Sequence, residues 1–129
     1  MMSSLELTKS KTLDISIVIP VYNERENLTL LDKKITKSIK PLNKQYEVIL
    51  VDDGSVDGSV DLIRKLKNKN PCLRLIRFDR NYGQTAAFAA GFSKARGNII
   101  VTMDADLQND PADIPLLLEK INESDVVCG

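Results

Sequence analysis

Asn98 to Gln108 reads NIIVTMDADLQ: an apolar, largely β-branched run that ends abruptly in two carboxylates, Asp104 and Asp106, with an amide, Gln108, two places further on. In an extended or gently turning backbone, residues two apart project to the same side, so the three side chains are expected to converge on one point. Two carboxylates that close repel each other unless a cation lies between them. Oxygen ligands of this kind suit Mg²⁺ or Mn²⁺, hard ions that keep several waters or take substrate phosphates at the remaining positions. A solvated turn with acidic residues capping the next helix would carry the same letters, so the rest of the chain has to decide.

Working outward, strands and helices alternate. Asp14 is followed by ISIVIPV, a run that reads as a strand buried on both faces, the mark of a parallel sheet covered by helices. Pro20 closes it. A helix is predicted from Arg25 to Ile39, with Leu28, Leu31, Ile35 and Ile39 on its inner face and Pro41 stopping it. Tyr46 to Val51 supplies a second strand, ending in Asp52, Asp53, Gly54 and Ser55. The helix after it runs from Ser59 to Lys69, with Val60, Ile63 and Leu66 inward and Asp57 or Ser59 placed to cap it.

Leu73 to Phe78 is the third strand, and RNYGQ leads into an alanine-rich helix from Gly83 to Arg96 whose small residues imply close packing. Gly97 is expected as the C′ glycine of that helix. After the fourth strand, Asp110 and Pro111 begin a turn. Asp113 is expected to cap a helix carrying Pro115 in its first turn, with apolar contacts from Leu116, Leu117, Leu118 and Ile121. Ser124 to Cys128 reads as a fifth strand.

This alternation predicts an α/β fold built on a mostly parallel, doubly wound sheet. Ligands of such sheets bind outside the carboxyl ends of the strands. Those ends carry Pro20 to Glu24, Asp52 to Ser55, Arg80 to Gln84 and Asp104 to Gln108, so four unusual clusters fall on one edge. Residues 1–13 are expected to form a loose arm and residues 14–129 a single folded unit.

Composition narrows the chemistry. The 129 residues contain 18 Lys plus Arg and 18 Asp plus Glu, so no bulk field draws the chain to nucleic acid or anionic lipid. There is no histidine, which removes imidazole bases, histidine metal ligands and the serine or cysteine mechanisms that need them. Cys72 and Cys128 are far apart with no CxxC spacing and read as buried reduced thiols of a cytosolic protein. The first 13 residues lack the apolar core of a signal peptide, and no later run approaches a membrane span.

Strand 1 leads into PVYNE rather than GxGxxG, and GxxxxGK[ST] occurs nowhere, which excludes a dinucleotide dehydrogenase and a P-loop NTPase. A receiver domain has its paired acids after the first strand, whereas VDDGS follows the second. A DxD-type phosphatase also places its motif first, whereas DADLQ comes fourth.

Taken together, SIVIPVYNE, VDDGSVDGS, RNYGQTAAFAAGF and MDADLQNDP, in this order and spacing, resemble family 2 glycosyltransferases of the GT-A fold. The resemblance covers Ile15 to Gly129 and is strongest toward the dolichyl-phosphate mannose synthase and undecaprenyl-phosphate sugar transferase branch. It implies an inverting, metal-dependent transfer of a sugar from a UDP- or GDP-linked donor. The implied acceptor is a polyprenyl phosphate, already anionic and in need of little or no base.

On that resemblance, Pro20, Tyr22 and Glu24 would border the nucleobase and ribose. Asp53 would accept from a base N–H, and Asp52 would hold the turn or the ribose. Arg80 and Gly83 would lie near the ribose or diphosphate. Asp104, Asp106 and Gln108 would hold Mg²⁺ or Mn²⁺ against the diphosphate. Without the family, core packing for Tyr22 and helix capping for Asp52 and Asp53 are the readier readings, and a plain helix start is the alternative for Gly83.

The family's acceptor half, with its base or its basic phosphate-holding residues, would follow strand 5, so no catalytic base is expected here and the chain is expected to be inactive alone. The full-length enzyme would work in the cytoplasm or at the cytoplasmic face of a membrane, and an open sheet edge after strand 5 would favour self-association. A saccharide hydroxyl acceptor, or a receiver-like domain without transferase activity, would carry many of the same residues.

Overall fold

The structure, a computed structural model, describes residues 13–120 and the backbone of residues 126–128. Its strands are β1 (Leu13–Val21), β2 (Tyr46–Asp52), β3 (Leu73–Arg77), β4 (Gly97–Thr102) and β5 (Val126–Cys128). Between them lie helices α1 (Arg25–Ile39), α2 (Ser59–Lys69), α3 (Gln84–Lys94) and the short α4 (Ile114–Glu119). The sheet order is β3-β2-β1-β4-β5, and every pairing is parallel.

β1 is central, and its mostly apolar run, broken only by Ser16, follows from burial on both faces: Ile15 to Ile19 are all buried. On one face, Ile15, Ile17, Ile19, Val48 and Leu50 pack against Leu28, Leu31, Ile35 and Ile39 of α1, Ile63 of α2 and Ile114 of α4. On the other, Val18, Ile49 and Val51 meet Ala87 of α3. The expected close packing of α3 is present, since a Cβ on Gly91 would lie 2.3 Å from Val18 Cγ1. The sheet is therefore doubly wound. The chain leaves β1 toward β2 and β3 and later returns on the opposite side as β4, so the switch point lies over the carboxyl end of β1.

Several local expectations need correction. Gly97 is not a C′ glycine: α3 ends at Lys94, and Gly97 is the first residue of β4. Glycine is needed there because a Cβ would fall 2.5 Å from Ser16 N. Asp110, not Asp113, supplies the cap before α4, accepting the N–H of Ala112 at the start of a 3₁₀ turn over Pro111–Asp113. Val60 is half-buried and takes no part in the core, where Leu62 packs beside Ile63 and Leu66. Leu116 is exposed, and α4 holds the core through Ile114 and Leu118. Cys72 is a free thiol but half-buried. β1 begins at Leu13, one residue into the expected arm. The rest of that arm, Ile121, Ser124 and Asp125 lie outside the described residues, as does the Cys128 side chain.

Beneath the end of α3, the sheet buries the carboxylate of Glu47. Glu47, 2 % exposed, accepts the Ser16 hydroxyl (2.6 Å), the Arg96 N–H (2.7 Å) and the Arg74 guanidinium, which also reaches the Lys94 carbonyl (2.9 Å). Nothing in the apolar pattern of β2 announces this network.

Candidate functional site

A cleft of about 310 Å³ opens over the carboxyl end of β1. Pro20, Val21, Tyr22 and Glu24 form one wall; Asp104, Ala105 and Asp106, following β4, form the other; Asp53 and Gln84 complete the lining. Five of the expected site residues, besides Asp104 itself, are thus brought together: Pro20, Tyr22, Glu24, Asp53 and Asp106.

The four loops around the cleft are fastened to one another in sequence. Asn23, in the left-handed region at φ 53°, donates its N–H to Ser55 Oγ (2.8 Å) and accepts the N–H of Val56 (2.9 Å). Asp57 Oδ2 accepts the N–H of Arg25 at the start of α1 (3.1 Å), while Oδ1 accepts the N–H (3.1 Å) and hydroxyl (2.6 Å) of Ser59 at the start of α2. The second loop binds the third: Asp53 Oδ1 accepts the Tyr82 N–H (2.6 Å), Oδ2 accepts the Gly83 N–H (3.0 Å), and Asn81 Nδ2 donates to the Asp53 carbonyl (3.2 Å). The third binds the fourth, as Gln84 Nε2 donates to Asp104 Oδ1 (3.0 Å). The cleft lies where the fourth loop faces the first.

Each local shape has a reason in its residue. Gly83 adopts φ 105°, ψ 162°, a region nearly closed to other residues. A Cβ there would meet nothing within 4 Å, so the backbone, rather than the space around it, demands glycine. Its N–H is thereby turned toward Asp53, and Gln84 begins α3 at the cleft. Leu107 at φ 66° breaks the alternation that was expected to carry Gln108 beside Asp104 and Asp106. Gln108 is exposed and does not line the cleft, and its backbone N–H binds Asp106 Oδ1 (3.1 Å).

Asp52 is 1 % exposed and stands back from the cleft. Its Oδ2 accepts the Ser55 N–H (3.0 Å), which holds the turn, and its Oδ1 is buried without a partner among the described residues. Arg80 stacks on the Tyr82 ring, 5.4 Å from its centroid, while Phe78 meets that ring edge-on at 5.5 Å; neither Arg80 nor Tyr82 lines the cleft. Tyr22, 49 % exposed, presents an open aromatic face on the wall.

Gln84 is the polar cleft residue that sequence patterning left without a role, beside the apolar Val21 and Ala105. Its signal was its place in RNYGQ, as the first helical residue after a glycine.

Chemically, the cleft combines an apolar and aromatic surface from Pro20, Val21 and Tyr22 with four carboxylates, those of Glu24, Asp53, Asp104 and Asp106. Among the described residues, no cluster of three or more Asp, Glu, Cys or His side chains could enclose a metal by itself. A hard dication held by two carboxylates would draw its remaining ligands from water or from a phosphate-bearing molecule, and the donor set suits that arrangement. No helix among the described residues is long and apolar enough to cross a membrane.

Comparison with known proteins adds a family to this geometry. The model of the family described as Glycosyl transferase family 2 matches residues 16–129. The undecaprenyl-phosphate 4-deoxy-4-formamido-L-arabinose transferase of Serratia proteamaculans (strain 568) is 44% identical over 116 residues, which are 89% of this chain and 36% of that protein. Among solved structures, the mannosyltransferase PcManGT from Pyrobaculum calidifontis, in complex with GDP-Man and Mn²⁺, aligns with a TM-score of 0.67 and 27% identity over 73% of this chain and 28% of that one. S. aureus TarS 1–349 in complex with UDP aligns with a TM-score of 0.65 and 26% identity over 73% and 28% of the two chains. The chain therefore spans about a third of the length of the curated relative it matches.

Proposed function

Because the chain belongs to glycosyl transferase family 2, we propose that it is the donor-binding portion of a metal-dependent, inverting transferase. The enzyme would pass a sugar from a UDP- or GDP-linked donor to a polyprenyl phosphate at the cytoplasmic face of a membrane. The observation that carries this reading is the pairing of Asp104 and Asp106 across the cleft from Pro20, Tyr22 and Glu24, over the switch point of the sheet. Family membership tells against a receiver-like domain. The lipid-phosphate acceptor rests on the likeness to the undecaprenyl-phosphate transferase, and the donor class on neighbours solved with GDP-Man and with UDP.

In this reading the nucleoside lies along the first wall, with Tyr22 as its apolar face and Glu24 at its edge. Asp53, which lines the cleft, would accept from a base N–H while its oxygens also hold the N–H groups of Tyr82 and Gly83. Asp104 and Asp106 would hold Mn²⁺ or Mg²⁺, with Gln108, whose N–H bonds to Asp106 Oδ1, as the third candidate ligand. Such an ion, when bound, offsets the charge that develops on a departing diphosphate. In the transfer itself, an acceptor phosphate oxygen bonds to the sugar C1 as the C1–O bond to the diphosphate breaks, and the nucleoside diphosphate leaves with the electron pair. Attack opposite the leaving group inverts C1.

The test is a thermal shift of the purified chain with UDP, GDP and ADP, each with Mn²⁺ and with EDTA, alongside Asp106→Ala. A ligand at about 100 times its dissociation constant adds about 2.7 kcal/mol of stability. A shift with UDP or GDP that needs the metal and disappears in the variant is expected. No shift with any nucleotide on a cooperatively folded chain, and none on a chain extended past residue 129, would overturn the reading.

A further inference from the structure

Gln84 stands 20 positions before Asp104 in the chain, at the first turn of α3, and its amide reaches the carboxylate at 3.0 Å. That contact holds one oxygen, Oδ1, and leaves Oδ2 without a protein partner among the described residues. The backbone of Asp104 is fixed as well, its N–H donated to Asn109 Oδ1 (3.2 Å). Behind Gln84, Asp53 grips the N–H of Gly83. Asp53 follows β2 and Asp104 follows β4, the two strands that flank β1. The run Asp53, Gly83, Gln84, Asp104 is therefore a hydrogen-bonded strap across the carboxyl end of the central strand.

We propose that Gln84 is a positioning residue for the divalent cation: it fixes the Asp104 carboxylate so that its unheld oxygen faces the cleft beside Asp106. This rests on reading Asp104 and Asp106 as the metal carboxylates. An amide suits the task because Nε2 donates a hydrogen bond without adding charge. A lysine would compete with the cation electrostatically, and a second carboxylate would repel Asp104 until a cation arrived. Partners that orient a metal ligand in this way typically change affinity by about tenfold to a hundredfold when removed. The Gln84–Asp104 contact is solvent-exposed, so the lower end of that range is expected.

The experiment is a Mn²⁺ titration of the whole chain, followed by the electron paramagnetic resonance signal of free Mn²⁺, with and without UDP or GDP, for the wild type, Gln84→Ala and Gln84→Glu. Wild-type binding with roughly tenfold weaker binding in Gln84→Ala is expected. Gln84→Glu serves as the second variant: its melting temperature should fall in EDTA and recover with Mn²⁺, a metal-dependent change that a mere helix-start role would not produce. Wild-type affinity in Gln84→Ala, or a Gln84→Glu melting temperature indifferent to Mn²⁺, would overturn the proposal while leaving the metal reading intact. Absence of Mn²⁺ binding by the wild type with either nucleotide would instead remove the metal reading, and this proposal with it.

Discussion

Asp53 and Gly83 are 30 positions apart, yet both carboxylate oxygens of Asp53 lie within reach of the Gly83 N–H, at 3.0 and 3.3 Å. Asp53 is 4 % exposed, so its charge is stabilised mainly by these backbone donors and that of Tyr82. Asp53→Ala leaves the loop unanchored and should cost about 1–3 kcal/mol. Nucleotide-dependent stabilisation should fall further still, because the loop carries Gln84 into the cleft. Asp53→Asn keeps one acceptor and should lie between the two. Urea denaturation with and without nucleotide measures both effects; an Asp53→Ala chain with wild-type nucleotide affinity would contradict the role given to the loop.

Glu47 sets an acid limit on stability. Burial alone pushes its carboxyl up, but hydrogen bonds from Ser16, the Arg96 N–H and Arg74, with the Arg74 charge, outweigh this and hold it below the ordinary glutamate value of 4.5. A group whose pKa is lower in the folded than in the unfolded state contributes stability that is complete above the unfolded value and is lost as pH falls through the folded one. Asp57 is lowered as well: burial, the largest single influence, raises it, and the hydrogen bonds from Ser59 and the Arg25 N–H together prevail. Wild-type stability should therefore decline below about pH 4.5, and the slope should be shallower in Glu47→Gln. That variant should also lose about 3 kcal/mol at pH 7, since Arg74 keeps its charge without a counter-charge. Urea midpoints from pH 7 to pH 3 check the sign; equal slopes in the two proteins would refute it.

Asp57 caps two helices at once, through Arg25 of α1 and Ser59 of α2. A single N-cap is worth about 0.5–2 kcal/mol. Asp57→Ala should accordingly cost about 2 kcal/mol, nearer the top of the range for one cap. Asp57→Asn retains an acceptor for one helix and should recover about half. Denaturation midpoints at neutral pH distinguish this from a single-cap role, in which Asn would restore nearly everything.

The parallel sheet and its helices were legible because strands buried on both faces read as continuous runs and amphipathic helices as a 3.6-residue period. Ile15 to Val21 carry the first plainly, and Leu28, Leu31, Ile35 and Ile39 the second. The location of the site followed from topology, which places every strand end on one edge. Contacts that depend on side-chain reach between distant loops were not legible. No local pattern shows that Asp53 would hold the backbone N–H groups of Tyr82 and Gly83, or that Gln84 would find Asp104. Nor does it show that Glu47, a polar letter in an apolar strand, would be enclosed by Ser16, Arg74 and Arg96. Gln108 was placed in the cleft by extending a strand's alternation into a turn, where a left-handed leucine ends it.

Gly97 separates two physical reasons for a glycine that look alike in sequence. A C′ glycine is required by its positive φ, and asparagine substitutes for it better than alanine does. Gly97 instead begins β4 where a Cβ would stand 2.5 Å from Ser16 N, 2.6 Å from Ile15 C and 2.7 Å from Ser16 Oγ. The obstruction is backbone of the central strand, which cannot yield without disturbing the sheet, and the Gly97 N–H also bonds to Ser16 Oγ at 2.8 Å. Overpacking of this kind typically costs about 1–3 kcal/mol for a small addition. Gly97→Ala should fall at or above the top of that range, and Gly97→Asn, with more atoms to place, should be worse still. The order of the two denaturation midpoints decides the matter: alanine above asparagine marks close approach of strands, whereas asparagine above alanine would restore the helix-terminating role.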